Sequence, residues 1–154
     1  MAEKRPRPLV VDTSVALKFY YLPEEGHEEA LKLLEAEESG AAELLAPGTI
    51  LPEGFNAIVW QQRRGLLDAE DAGGAWEKLL RAPIYTYATE DLIERAAEIA
   101  NQTGAIVYDT LFLALAEDAL SVMVTADGKL LKALEGTRYA SLASSLERVE
   151  NLMQ

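Results

Sequence analysis

Four acidic residues stand where a carboxylate could take part in chemistry. Asp12 and Asp127 each follow an apolar run, Asp109 precedes one, and Glu53 lies in a segment with helical spacing of its apolar residues. Carboxylates that converge repel one another, and a bound divalent cation removes that penalty. Because all four would offer hard oxygen atoms, such a site favours Mg2+ or Mn2+ over zinc. A metal held in this way can promote hydrolysis of a phosphodiester.

The apolar pattern predicts strands that alternate with helices. Short apolar runs typical of buried strands occur at residues 9–11 and 121–125, and weaker strand patterns occur at 43–46, 84–87 and 138–142. Helical spacing is found at residues 15–21, 24–39, 50–64, 69–81, 110–119, 129–134 and 144–152. A further helix, with Thr89 as its N-cap, should end at Gly104. This alternation predicts a parallel sheet covered by helices on both faces.

The predicted topology would bring the four acids to one edge of the sheet. Ligands of open parallel sheets bind beyond the carboxyl ends of the strands, where Asp12 and Asp127 would lie. Helices that follow a strand begin at the same edge, which would add Asp109 and Glu53. Each acid also has an ordinary structural explanation, as a helix N-cap, a turn residue or a partner of the helix dipole. Spacing alone leaves both interpretations open.

Length and composition limit the classes of protein that fit. The 154 residues suggest one domain, with residues 1–8 as an exposed arm and residues 9–154 as the folded unit. The absence of cysteine excludes a disulfide framework and a thiolate metal site. No run approaches the roughly 20 apolar residues that span a bilayer, and the first residues do not resemble a signal peptide. We therefore expect a cytoplasmic protein that does not enter a membrane.

The sequences around the four acids carry more information than their spacing. They comprise residues 10–18 (VVDTSVALK), 45–57 (LAPGTILPEGFNA), 108–117 (YDTLFLALAE) and 124–130 (VTADGKL). In type, order and rough distance, these segments resemble the motifs of PIN-domain ribonucleases of the VapC toxin type. The resemblance runs from about residue 9 to residue 142. One departure is Gly54, which follows Glu53 where the family more often has an apolar residue.

The resemblance implies a fold, an activity and partners. It implies a three-layer α/β/α sandwich with a central, mainly parallel five-stranded sheet. It implies an endoribonuclease that depends on Mg2+ or Mn2+ and hydrolyses RNA by in-line attack of a metal-activated water. It also implies a toxin of a toxin–antitoxin pair, held in check by a basic antitoxin, and a homodimer.

Carried over by position, the resemblance assigns Asp12, Glu53, Asp109 and Asp127 to the catalytic metal site. Asp12 and Asp109 would bind the metal directly or through water, while Glu53 and Asp127 would complete the site and orient the attacking water. Four polar residues beside the acids would support the site: Thr13, Ser14, Asn56 and Thr125.

The net charge of −12 is an objection to a nuclease, because broad binding to nucleic acid usually uses a basic face. Local cations answer it in part: Arg63 and Arg64 end the helix that carries Glu53, and Lys129 follows Asp127. These three residues are candidate RNA contacts. We expect weak, salt-sensitive binding of particular RNA sites, and an acidic surface also suits a basic inhibitor.

Three other functions share part of this sequence pattern. A phosphoacceptor receiver domain needs adjacent acids after the first strand, whereas Thr13 and Ser14 follow Asp12. A haloacid-dehalogenase-type phosphatase needs a second Asp where Ser14 stands. The alternative that the sequence leaves open is a PIN-like module that binds RNA or protein without cleaving it.

Overall fold

The computed structural model describes residues 3–20 and 25–154. Its strands are β1 (Arg7–Val11), β2 (Ala42–Pro47), β3 (Ile84–Tyr87), β4 (Met123–Thr125) and β5 (Ala143–Ser145). Its helices are α1 (Thr13–Lys18), α2 (His27–Glu38), α3 (Ile50–Arg63), α4 (Ala69–Leu80), α5 (Ile93–Thr103), α6 (Val107–Asp118), α7 (Gly128–Leu134) and α8 (Val149–Leu152). Short 3-10 turns cover Thr89–Asp91, Ala140–Leu142 and Leu146–Arg148. Within this described part, no helix is long and apolar enough to cross a bilayer.

The five strands form one parallel sheet in the order β3-β2-β1-β4-β5. Leu9, Val10 and Val11 on the central strand are all completely buried. Successive side chains of a strand point to opposite faces, so helices must cover both faces of the sheet. Helix α6 packs on β1, β2 and β4, while α2 packs on β2 and α1 on β4. The predicted α/β sandwich with a five-stranded sheet is confirmed, and the sheet is entirely parallel.

The register of β1 and β4 sets the position of the site. Val11 pairs with Val124, and the backbone N–H of Asp12 donates to the Val124 carbonyl at 3.3 Å. Both strands therefore end at the same level, so Asp12 and Asp127 follow neighbouring strand ends.

Several predicted element boundaries were wrong. Thr89 does not cap a helix: its side chain makes no capping hydrogen bond, and i→i+3 bonds close a 3-10 turn before α5 begins at Ile93. The last strand is Ala143–Ser145 rather than residues 138–142. The reason is that Tyr139 is buried and its hydroxyl bonds to Gln102 and Arg138, which holds this segment in a turn.

The ends of the chain also differ from expectation. Strand β1 begins at Arg7, which pairs with Ala42, so two residues of the expected arm belong to the sheet. The predicted terminal helix over residues 144–152 is reduced to α8, because Ser144 and Ser145 belong to β5. Two predicted helix ends, Tyr21 and Glu24, lie outside the described residues.

Helix packing explains why a glycine stands at position 54. A Cβ atom at this position would lie 2.4 Å from Cδ2 of Leu79, a buried residue of α4. A side chain at this position would therefore force the buried Leu79 side chain to shift. The departure at Gly54 thus lets a second helix pack closely against the helix that carries Glu53.

We expect Gly54→Ala to lower the free energy of unfolding by about 1–2 kcal/mol, because overpacking outweighs the gain in helix propensity. Gly73→Ala is the matched control, since a Cβ at Gly73 meets nothing within 4 Å. It should raise the free energy of unfolding by about 0.5–1 kcal/mol. Urea denaturation measures both. Equal stabilisation by the two substitutions would show that α4 does not constrain Gly54.

Candidate active site

Asp12 is the N-cap of α1, and its carboxylate is almost fully buried. Its Oδ1 accepts from the Val15 N–H at 3.1 Å and from the Ser14 hydroxyl at 2.5 Å, while Oδ2 accepts from the Thr125 hydroxyl. Burial raises the pKa of Asp12 to about 6, although these hydrogen bonds oppose the rise. Capping explains only the bond to Val15 and accounts for neither the burial nor the second oxygen.

Two hydroxyl residues connect Asp12 to the end of β4. Thr125 donates to Asp12 and accepts from the Asp127 N–H at 3.0 Å. Ser14 donates to Asp12 and accepts from the Ala126 N–H at 3.1 Å. Asp127 in turn caps α7, where its Oδ1 accepts from the N–H groups of Lys129 and Leu130. The ends of the two strands are therefore held together through the Asp12 carboxylate.

Glu53 comes from the first turn of α3, and its N–H donates to the Thr49 carbonyl at 3.0 Å. One carboxylate oxygen, Oε1, is buried without a hydrogen-bond partner. Burial raises the pKa of Glu53 to about 7; the hydroxyls of Thr49 and Thr13 lower it, and the charges of Asp109 and Asp12 raise it further. Glu53 on α3 therefore interacts electrostatically with both Asp12 and Asp109.

Asp109 is the third residue of α6, whose N-cap is Ile106. The ordinary explanation of Asp109 as a helix cap is therefore wrong. Burial raises the pKa of Asp109, and the charge of Asp127 adds to the rise. Its side chain makes no hydrogen bond to the described residues. The structure brings all four acids into one electrostatically coupled group at the carboxyl edge of the sheet.

The group fits a divalent cation in donor type and charge but is not a finished coordination site. The potential metal ligands are carboxylate oxygens, and Oε1 of Glu53 has no hydrogen-bond partner. A positive charge would offset the mutual repulsion of the acids. In residues 3–20 and 25–154, however, no three acidic or histidine side chains are close enough to hold a metal as they stand. Binding would require side chains to turn, and no side-chain hydrogen bond to the described residues restrains Asp109.

The PIN-domain family model matches residues 9–135 of the chain. The chain belongs to the PIN-domain family. It is 33% identical over 126 residues to Ribonuclease VapC3 of Pyrobaculum aerophilum, a match that covers 79% of this chain and 91% of the relative.

Solved structures share the PIN fold. PAE2754 of Pyrobaculum aerophilum superposes with a TM-score of 0.69 at 20% identity, over 95% of this chain and 89% of the other. A toxin–antitoxin complex from Klebsiella pneumoniae gives a TM-score of 0.58 at 14% identity, over 90% of this chain and 97% of the other. At these identities the likeness extends to the fold alone.

Other residues expected at the site of this PIN domain are exposed. Asn56 makes no side-chain hydrogen bond to the described residues. Arg63 and Arg64 are exposed about 15 Å along α3 from Glu53. The Arg63 guanidinium lies over the Trp60 ring, 5.7 Å from its centroid. Lys129 is exposed, and its backbone N–H donates to Asp127 at 3.0 Å.

Thr49 was not among the predicted site residues, although it lies within the second motif segment, residues 45–57. Its hydroxyl is buried and lowers the pKa of Glu53. The available signal was its place four residues before Glu53, since residues four apart on a helix are neighbours.

Proposed function

We propose that this PIN domain is a metal-dependent endoribonuclease that hydrolyses phosphodiester bonds in cytoplasmic RNA. The observation that carries the proposal is the coupled group of four carboxylates, in which the pKa values of Asp12, Glu53 and Asp109 are raised. Among the described residues, no ion pair with lysine or arginine neutralises any of them. Perturbed carboxylates of this kind are typical of functional sites. The similarity to Ribonuclease VapC3 supports RNA as the substrate.

The four acidic side chains would have different roles. Asp12, fixed by Ser14 and Thr125, and Asp109, which can turn, would hold Mg2+ or Mn2+. The bound ion would stabilise charge on the phosphoryl group and help a water to ionise. Glu53 would orient the attacking water, and Asp127 would complete the site.

Cleavage of pooled cellular RNA by the purified protein tests the proposal. Separate reactions contain Mg2+, Mn2+ or a chelator. We expect discrete cuts with either ion and none with the chelator. A folded protein that binds Mn2+ but cuts no RNA in the pool would contradict the proposal.

The alternative is a PIN-like module that binds RNA or protein without cleaving it. One observation favours it: among the described residues, the acids do not form a ready-made metal site. RNA binding that is independent of metal, in the absence of cleavage, would support this alternative.

We further propose that the chain is the toxin of a toxin–antitoxin pair and forms a homodimer. The acidic edge and the net charge of −12 suit a basic antitoxin segment that enters the site. The shared fold with a toxin–antitoxin complex agrees with this partner. A basic peptide should therefore compete with Mn2+, and light scattering should give twice the mass of the chain.

Arg63, Arg64 and Lys129 are proposed phosphate contacts. Replacing any one with Gln should weaken RNA binding across sequences and reduce the slope of log affinity against log salt by about 1. Arg81→Gln is the control, because Arg81 is an exposed arginine that already pairs with Glu77 at 2.9 Å. Filter binding at several salt concentrations measures the slopes. The same slope for every variant and the wild type would exclude these three contacts.

A further inference from the structure

Buried polar atoms without partners collect around Glu53. Among the described residues, four side-chain atoms are buried without a hydrogen bond, and three of them are Thr13 Oγ1, Thr49 Oγ1 and Glu53 Oε1. Thr49 lies one helical turn before Glu53, and α1, which carries Thr13, packs against α3. Both hydroxyls act on the Glu53 carboxylate. The two hydroxyls therefore lie near the Glu53 carboxylate, and all three oxygens are buried without a complete hydrogen bond.

Helix capping does not explain Thr49. Its backbone is helical, with φ −61° and ψ −16°, and its side chain makes no capping bond. An N-cap side chain accepts from the second or third N–H of its helix, and the third residue here is Pro52, which has none. A buried hydroxyl without a partner also destabilises the fold. A hydrogen bond formed in another state of the site would offset this cost.

We propose that Thr49 is a positioning residue that, together with Thr13, fixes the Glu53 carboxylate when a divalent cation binds. A threonine hydroxyl can donate one hydrogen bond, so two of them can occupy one side of the carboxylate. The other side is then directed toward the cation and its water. Residues that orient ligands in this way commonly change metal affinity by 10–100-fold when they are replaced. The inference rests on the function proposed above.

The test measures Mn2+ binding to the full chain by calorimetry, independently of RNA cleavage. Thr49→Val replaces the hydroxyl with a methyl group of nearly the same shape and should weaken Mn2+ binding by about 10–100-fold. Thr49→Ser restores a hydroxyl and should bind within about threefold of the wild type. Because Thr49→Val removes a buried unpartnered hydroxyl, its melting temperature should equal or exceed that of the wild type.

Thr137→Val is the matched control. The Thr137 hydroxyl has hydrogen-bond partners both as a donor and as an acceptor. It donates to the Leu134 carbonyl at 2.7 Å and accepts from the Tyr139 N–H. This variant should lose stability and keep wild-type Mn2+ affinity. Wild-type affinity in Thr49→Val, or equal weakening in Thr49→Val and Thr49→Ser, would overturn the role of the hydroxyl while leaving the nuclease proposal in place. A wild type that binds no Mn2+ would overturn both.

Discussion

Asp12→Asn is expected to reduce the rate of RNA cleavage by about 10²–10³-fold, the range seen when one electrostatic contact to a reacting group is removed. Asparagine preserves the shape of the side chain, and its amide oxygen can still accept from the Val15 N–H, because Asn is also a good N-cap. The substitution removes the charge that would hold the cation. The initial cleavage rate at saturating Mg2+ is the measurement, and a circular dichroism spectrum checks the fold.

Asp68→Asn is a closely matched control for this experiment. Asp68 caps α4 with φ −81° and ψ 175°, whereas Asp12 caps α1 with φ −88° and ψ 174°. Its side chain accepts from the Asp71 N–H at 2.8 Å, also three residues later, but it is exposed. Cleavage by Asp68→Asn should stay within about twofold of the wild type, since a Ser, Thr, Asn or Asp cap differs little from another. Undiminished cleavage by Asp12→Asn would exclude the acid group as the catalytic site.

Four of the five strands and most helices could be predicted from the apolar pattern. The apolar residues of β1 and β4 are continuous because helices cover both sides of these strands. The bounds of β3 were predicted as 84–87 although this strand is mostly exposed. The failures lie where distant contacts decide the structure. The segment around Tyr139 forms a turn because the Tyr139 hydroxyl donates a hydrogen bond to Gln102, 37 residues away. No local pattern predicts this contact.

The residues of the functional site could likewise be predicted only in part. Ser14 and Thr125 could be proposed as supports because they adjoin acids in the sequence, and both donate to Asp12 in the structure. Their contribution to catalysis stays a prediction. Asn56 and Thr49 are both about one helical turn from Glu53, and only Asn56 was predicted to support the site. Side chains on a helix tilt toward its N-terminus, so Glu53 leans over the preceding turn, toward Thr49.

The metal-free protein should become less stable as the pH rises from 5 to 8. The pKa values of Asp12 and Glu53 are raised to about 6 and about 7, so the folded state binds more protons than the unfolded chain in this range. Their contribution is fully present below their ordinary values near pH 4 and is lost as the pH passes through 6 and 7. For Asp12 alone the loss between pH 5 and pH 8 is on the order of 1–2 kcal/mol, which corresponds to about 2–8 °C in melting temperature.

Other perturbed acids act outside this pH range. Salt bridges lower the pKa values of Glu117 and Glu150, so their contribution is present above their ordinary values and is lost only at more acidic pH. The slope between pH 5 and 8 therefore reports the acid group at the edge of the sheet. Melting temperatures in chelator measure it, and Asp12→Asn with Glu53→Gln should flatten it.

Added Mn2+ should oppose the loss of stability, and most strongly at pH 8. A ligand that binds only the folded state raises stability by RT ln(1 + [L]/Kd), and carboxylates must be deprotonated to bind the ion. Mn2+ should thus raise the melting temperature more at pH 8 than at pH 5, the reverse of the trend in chelator. A melting temperature that rises from pH 5 to 8 in chelator would mean that ionisation of these carboxylates does not destabilise the folded protein. The site would then have no electrostatic need for a cation.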